Sequence, residues 1–233
     1  MKKALLALGG VLIFFATAPA RALELPEAIS FGVSGNGTFF RPIIEKTRLG
    51  GKRYEGRWHL AAGGSGFFEY RLFDDRASVG LDVGYTQKGL HLAEKGSESN
   101  DDESNYYLTI QTAAITGLVA WLPMEQAEGL SVFGGINVYL VLAALEKELR
   151  VKEYKEVASG VVRPYNGGVT GGIRYVIDER GLFVEVRGNF YPWGIFGDEG
   201  ENKKRALGLQ KDDQRYHYDL QVFLGYDMTK LFE

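Results

Sequence analysis

A chain of 233 residues, 45 % of them hydrophobic, is long enough for one sizeable domain and too apolar to stay disordered. A formal net charge of −3 gives no basic footprint for nucleic acid, and 31 glycines with 13 % aromatic residues lean toward an all-β architecture. The chain has no cysteine, which excludes disulfides, thiolate zinc sites and a lipid-anchored N-terminus.

The chain opens with a targeting segment. Lys2 and Lys3 precede an apolar run from Ala4 to Thr17, and Ala18-Pro19-Ala20 and Ala20-Arg21-Ala22 both carry the small-x-small pattern of signal peptidase. The run is shorter than the ~20 residues a spanning helix needs, so cleavage after Ala22 is expected rather than an uncleaved anchor. Residues 1–22 are read as a signal peptide and 23–233 as one mature domain. That domain holds 24 basic against 30 acidic residues, a charge of −6. No second apolar run approaches helix-spanning length.

From there the pattern has period two, and eight strands are expected near 28–41, 56–72, 76–90, 105–122, 129–144, 161–177, 181–193 and 215–228. Successive strand side chains point to opposite faces, so each segment separates an apolar from a polar side. Ile29, Phe31 and Val33 oppose Ser30, Gly32 and Ser34 in the first. Trp58, Leu60, Ala62, Phe68 and Tyr70 oppose Arg57, His59, Ser65, Glu69 and Arg71 in the second. Ala77, Val79, Leu81, Val83 and Tyr85 oppose Ser78, Gly80, Asp82, Gly84 and Thr86 in the third. The fourth, around Tyr106, Leu108 and Ile110, loses clean alternation, which a bulge near Thr112–Ala114 would explain. Leu130, Val132, Ile136, Val138 and Leu140 resume it against Ser131, Gly135 and Asn137. The pattern continues through Val169–Ile177 and Leu182–Phe190. It ends with Tyr218, Leu220, Val222, Leu224 and Tyr226 opposite His217, Asp219, Gln221 and Phe223.

Asp74-Asp75, Pro123–Glu128 and Asp178–Arg180 read as short turns, and 42–55, 91–104, 145–160 and 194–214 as long polar loops. Short turns on one rim and long loops on the other predict an eight-stranded antiparallel up-and-down transmembrane β-barrel of the bacterial outer membrane, with both termini periplasmic. Two aromatic girdles are expected on its outer face, Trp58, Tyr85, Tyr106, Tyr165 and Tyr218 on the loop side and Tyr70, Tyr175 and Tyr226 on the turn side. A soluble barrel would carry its charges outward. Here the polar face holds Glu69, Arg71, Asp82, Arg174, Glu185, Arg187 and Asp219 in mixed sign, a set suited to plugging the narrow bore that eight strands enclose. A tight turn pairing Ile177 with Leu182 would put Arg174 directly opposite Glu185.

The stretch Ser78–Gly89, ending in Tyr85-Thr86-Gln87-Lys88-Gly89, resembles the third strand of the outer-membrane β-barrel domain proteins labelled PorT-like or porin-family. Tyr106–Ile110, Gly134–Tyr139 and Gly181–Arg187 are similar to that family's fourth, fifth and seventh strands. The resemblance spans about 29–228 and implies a small eight-stranded outer-membrane barrel without a settled biochemical activity. The chain departs from the family in running on past the last strand as Thr229–Glu233, so that Phe232, or Tyr226 and Met228, would serve as the assembly signal.

No phosphate loop, nucleophile elbow or His-Glu-x-x-His is present. Gly63-Gly64-Ser65-Gly66 lies mid-strand and reads as backbone slimming beside a large inward side chain. His59 and His217 share inward parity near the loop-side rim, His91 falls in a loop, and a rim imidazole oriented by Asp219 or Arg57 would be the setting for a lipid-modifying enzyme. Without a recognisable nucleophile they read better as polar members of the plug. The acidic run Ser97–Glu103 lacks calcium-loop spacing, and Lys203-Lys204-Arg205 could offer charge to lipopolysaccharide phosphates, but both runs read better as solvated loops. The expectation is therefore a non-enzymatic barrel without cofactor or metal. Its partners would be outer-membrane lipid and lipopolysaccharide, or another envelope protein met through the long loops, and its role structural, adhesive or in secretion and assembly. A small pore, a lipid-modifying enzyme and a soluble periplasmic lipocalin-like binder are the alternatives.

Overall fold

Alternating apolar and polar residues, with glycines where large side chains pack, give strands that close on themselves. The computed structural model describes residues 28–40, 47–49, 52–73, 76–94, 105–121, 129–147, 153–158, 160–197, 200 and 217–231. Its strands are β1 (Ile29–Phe40), β2 (Thr47–Leu49), β3 (Lys52–Arg57), β4 (His59–Leu72), β5 (Ala77–Glu94), β6 (Asn105–Trp121), β7 (Leu130–Lys147), β8 (Lys155–Glu156), β9 (Tyr165–Val176), β10 (Leu182–Tyr191) and β11 (His217–Asp227). A 3-10 turn, Met228–Leu231, follows.

Eight of these strands form a ring in which each pairs antiparallel with its sequence neighbours. The order runs β1, β4, β5, β6, β7, β9, β10, β11, and β1 pairs with β11 to close it. Closure removes every edge from the wall, and this is an eight-stranded up-and-down transmembrane β-barrel. Its outer face is apolar: Leu60 is 67 % exposed and Ile136 65 %, with Leu81, Val119, Val169 and Leu224 about half exposed. Glu185, Arg187, Asp82 and Asp219 lie buried within. Among the described residues no helix is long and apolar enough to cross a membrane.

The three sequence-local joins gather at one rim, together with the start of β1 and the end of β11. In the join at 178–181, Ile177 N–H donates to Leu182 O at 2.7 Å and Leu182 N–H to Asp178 Oδ1 at 3.0 Å. Gly181 takes φ +93° there, a conformation that costs other residues, and the turn fixes the register that pairs Arg174 with Glu185.

Several expectations are corrected at the opposite rim. The span 42–55 is not simply a loop, because β2 and β3 form a hairpin there and β3 pairs with the far end of β5. His91 lies within β5 rather than in a loop, and β7 runs to Lys147 with β8 beside it. At ~3.3 Å per residue the 18-residue strands β5 and β7 run about 60 Å, so they rise well past an apolar belt ~25 Å tall. The bulge exists, but its extra residue belongs to β7: Gln111 pairs with Ala143 and Thr112 with Val141, leaving Leu142 over. Strand β6 keeps one parity throughout. Its inward face changes from polar Thr116 and Thr112 to apolar Ile110, Leu108 and Tyr106, which hid the alternation. Tyr106 is consequently 1 % exposed and inside the barrel, not in an outer girdle.

The signal segment, the turns at 74–75 and 123–128, the acidic run 97–103, the basic run 203–205 and Phe232 lie outside the described residues.

Candidate functional site: the filled bore

The bore is filled in layers. At the short-turn rim, Ser30 Oγ donates to Asp227 Oδ2 at 2.9 Å, and Arg71 Nη2 lies 3.8 Å from the same oxygen.

Above it runs a chain of alternating charge. Glu69 pairs with Arg174, and Arg174 Nε donates to Glu185 Oε2 at 2.8 Å. Arg187 Nε donates to Glu185 Oε1 at 2.7 Å, and Arg187 Nη2 to Asp82 Oδ2 at 2.5 Å. Glu185 thus bridges two guanidinium groups, each carboxylate oxygen serving one. Arg174 also sits over the rings of Phe183 and Phe67, at 4.7 and 5.4 Å, and Arg187 over those of Phe223 and Phe133, at 4.5 and 5.5 Å. Charges taken out of water demand such partners, since one left alone there costs several kcal/mol. The aromatic rings find room because glycines face them. Phe67 stands opposite Gly32, Phe133 opposite Gly172, and Phe183 opposite Gly225. A Cβ on Gly225 would fall 2.1 Å from Phe183 Cζ.

Midway up is a cavity of about 20 Å³ lined by Asn36, Ser65, Thr86, Thr116, Asn137 and Gln221, among others. That is room for about one water, not for a solute.

The next layer centres on Lys88. Its ammonium lies 2.8 Å from Asp219 Oδ2, bonds the Tyr191 hydroxyl, and sits over the Tyr191 and Tyr139 rings at 3.7 and 4.4 Å. Asn189 Nδ2 donates to the other Asp219 oxygen at 2.6 Å, and the Tyr191 hydroxyl donates to Asn137 Oδ1 at 3.0 Å. His217 stacks on Tyr191 with ring centroids 4.5 Å apart. Its Nδ1 lies 3.1 Å from Trp193 O and its Nε2 3.3 Å from the Tyr139 hydroxyl. An apolar cap that includes Phe40, Leu90, Leu92, Leu108, Ile110 and Phe196 covers the layer.

The structure therefore brings Glu69, Asp82, Arg174, Glu185 and Arg187 into one cluster. Arg71 lies one layer below, joined to Asp227, and Asp219 one layer above, joined to Lys88. The two histidines are not brought together. His59 packs near Tyr107, with ring centroids 6.5 Å apart, and Asp219 serves Lys88 and Asn189 instead of an imidazole. Among the described residues, no three His, Asp or Glu side chains converge as metal ligands. Lys88 was missed as a site residue, although period two puts it on the inward face with Asp82, Gly84 and Thr86. On the outer face Trp58, Tyr70, Tyr165 and Tyr175 are exposed and Tyr85, Tyr218 and Tyr226 half-buried; Trp121 and Trp193 stand there too.

No protein-family model and no curated relative matches the chain. Among solved structures it is similar to Neisserial surface protein A, at 10 % identity and TM-score 0.47, over 86 % of this chain and 99 % of that one. It is also similar to Ail, the attachment invasion locus protein of Yersinia pestis, solved with the heparin analogue sucrose octasulfate. There the identity is 9 % and the TM-score 0.43, over 85 % and 97 % of the chains. A third is the translocator domain of the autotransporter NalP from Neisseria meningitidis, at 10 % identity and TM-score 0.29, over 97 % of both. The ring of eight strands establishes the fold independently of these likenesses.

Proposed function

We propose that this protein is a non-enzymatic barrel of the bacterial outer membrane. It is exported by residues 1–22 and folded over 23–233, with its short turns in the periplasm and its long-loop end at the cell surface. The observation that carries the reading is the inversion of inside and outside. A belt of half-exposed Leu, Ile and Val covers the wall, while an alternating chain of five charges lies inside the bore, Asp82, Glu185 and Arg187 of them buried. Lipid stabilises the first arrangement and water does not. In this reading the buried side chains plug the bore, and the work of the molecule falls to its surface: the extended strands and loops at the far rim, in a structural, adhesive or assembly role. Kinship with PorT-like barrels rests on Tyr85–Gly89.

Membrane fractionation followed by electrophoresis with and without boiling tests this reading. Recovery in the outer membrane with a faster-migrating unboiled band is expected. A water-soluble protein of unchanged mobility would overturn it.

A further inference from the structure

Three groups of the Lys88 layer stand in an arrangement that ion pairing alone does not require. Asn189 of β10 and Asp219 of β11 are directly opposed in the register, and Lys88 reaches them across the bore from β5. The Asp219 carboxylate holds the Lys88 ammonium on Oδ2 at 2.8 Å and the Asn189 amide nitrogen on Oδ1 at 2.6 Å. An amine and a carboxamide thus share one carboxylate, each bonded to its own oxygen.

All three residues are 3 % exposed or less, and the apolar cap that includes Phe40, Leu90 and Phe196 covers their layer. Asn189 Oδ1 is buried and accepts no hydrogen bond among the described residues, an arrangement that costs stability for as long as it lasts. Asn137, by contrast, is satisfied at both ends: its Oδ1 accepts from the Tyr191 hydroxyl and its Nδ2 donates to Thr116 Oγ1 at 2.7 Å. The reactive-looking amide is therefore the one that touches Asp219.

We propose that Lys88 and Asn189 join in an amide bond across the bore, formed by the folded chain on itself with Asp219 as the proton carrier. In the unreacted chain Lys88 and Asp219 are the ion pair described above. Proton transfer across that contact leaves a neutral amine, the form that attacks, and a carboxylic acid. A half-turn of the Asn189 amide brings its orphaned Oδ1 onto the new Asp219 hydroxyl, which satisfies the oxygen and polarises the carbonyl. Lys88 Nζ then attacks Asn189 Cγ. Asp219 gives its proton to Nδ2 and takes another from the attacking nitrogen. The carbonyl reforms, the Cγ–Nδ2 bond breaks and ammonia leaves. One amine and one primary amide go in, one secondary amide and one ammonia come out, and no oxidant or cofactor is needed. Such an exchange is very slow between free molecules in water. Here the partners are held together on one carboxylate, and water is kept away from the reacting carbon. The product is a covalent rung from β5 to β10 beneath the cap.

Peptide mapping of the full-length barrel, purified from membranes and digested with trypsin after unfolding, tests the bond. An amide on Lys88 blocks cleavage there. A branched peptide of residues 77–95 and 188–203 is therefore expected, lighter than its two arms together by one ammonia. Chain kept in urea from the start is expected to lack the bond and to gain it on folding into micelles. Asn189→Ala and Asp219→Ala, both checked for heat-modifiability, are expected to lose the branched peptide and release residues 77–88 instead. Separate arms from the folded wild type, cleaved after Lys88, would overturn the proposal. So would a branched peptide lighter by one water that joins Lys88 to Asp219, or a folded Asp219→Ala that keeps the bond. If Asp219→Ala fails to fold, the wild-type peptide and Asn189→Ala decide the matter by themselves.

Discussion

Lys88 of β5 and Asp219 of β11, three strands apart in the ring, meet within the bore as an ion pair of 2.8 Å with side chains 2 % and 0 % exposed. The pair ties the wall together beneath the apolar cap, and neither charge has water to fall back on.

Removing one partner should therefore cost far more than removing both. Asp219→Ala leaves the Lys88 ammonium among aromatic rings, and a buried ion stripped of its partner costs about 3–5 kcal/mol. Lys88→Met/Asp219→Leu, which removes both charges, is expected to cost clearly less than either single change. Urea unfolding in micelles, followed by the unboiled band, measures both.

Glu185 serves two arginines, whereas Asp82 and Glu69 at the ends of the chain each serve one. Glu185→Ala is expected to be the most destabilising of the three carboxylate truncations, by several kcal/mol. Equal losses for Glu185→Ala and Glu69→Ala in the same unfolding assay would mean that the bridge is not the keystone of the layer.

The glycines divide into two classes. Gly225→Ala drives a methyl into the Phe183 ring, and overpacking of this kind costs about 1–3 kcal/mol. Gly35→Ala meets no heavy atom within 4 Å on the outer wall and should be neutral or mildly stabilising, since glycine weakens a strand. Phe183→Leu is expected to rescue Gly225→Ala. Thermal midpoints of the band shift provide the comparison.

Much of this was legible in the sequence wherever one face of a strand stayed apolar and the other polar. The outer face of β11 and the pairing of Arg174 with Glu185 follow from period two and one tight turn. The upper bore was not legible, for a physical reason. Above the apolar belt the interior is itself apolar, so Tyr106, Leu108 and Ile110 carry the signature of a lipid-facing row while pointing inward. The same change of environment hid β3, whose Tyr54 packs into the cap while its charged neighbours read as loop. Lys88 was overlooked because a lysine is rarely buried, although its parity with Asp82 placed it inside.

A packed bore carries a functional consequence. The cavity beside Asn137 holds about one water, with the charge chain on one side of it and the Lys88 layer and apolar cap on the other. Planar-bilayer recording of the purified protein is expected to show no large, steady conductance. Stable open channels in the wild type would contradict the filled bore.

The central claim is that lipid lies outside the wall and charge inside it. Since the chain has no cysteine, single labels report it directly. Ile136→Cys and Asn137→Cys, adjacent on β7, carry an environment-sensitive fluorophore in vesicles doped with nitroxide lipids. The account predicts strong quenching at 136 and little at 137, with the alternation repeated at 138 and 139. Equal quenching at neighbouring positions, or none at either, would contradict it.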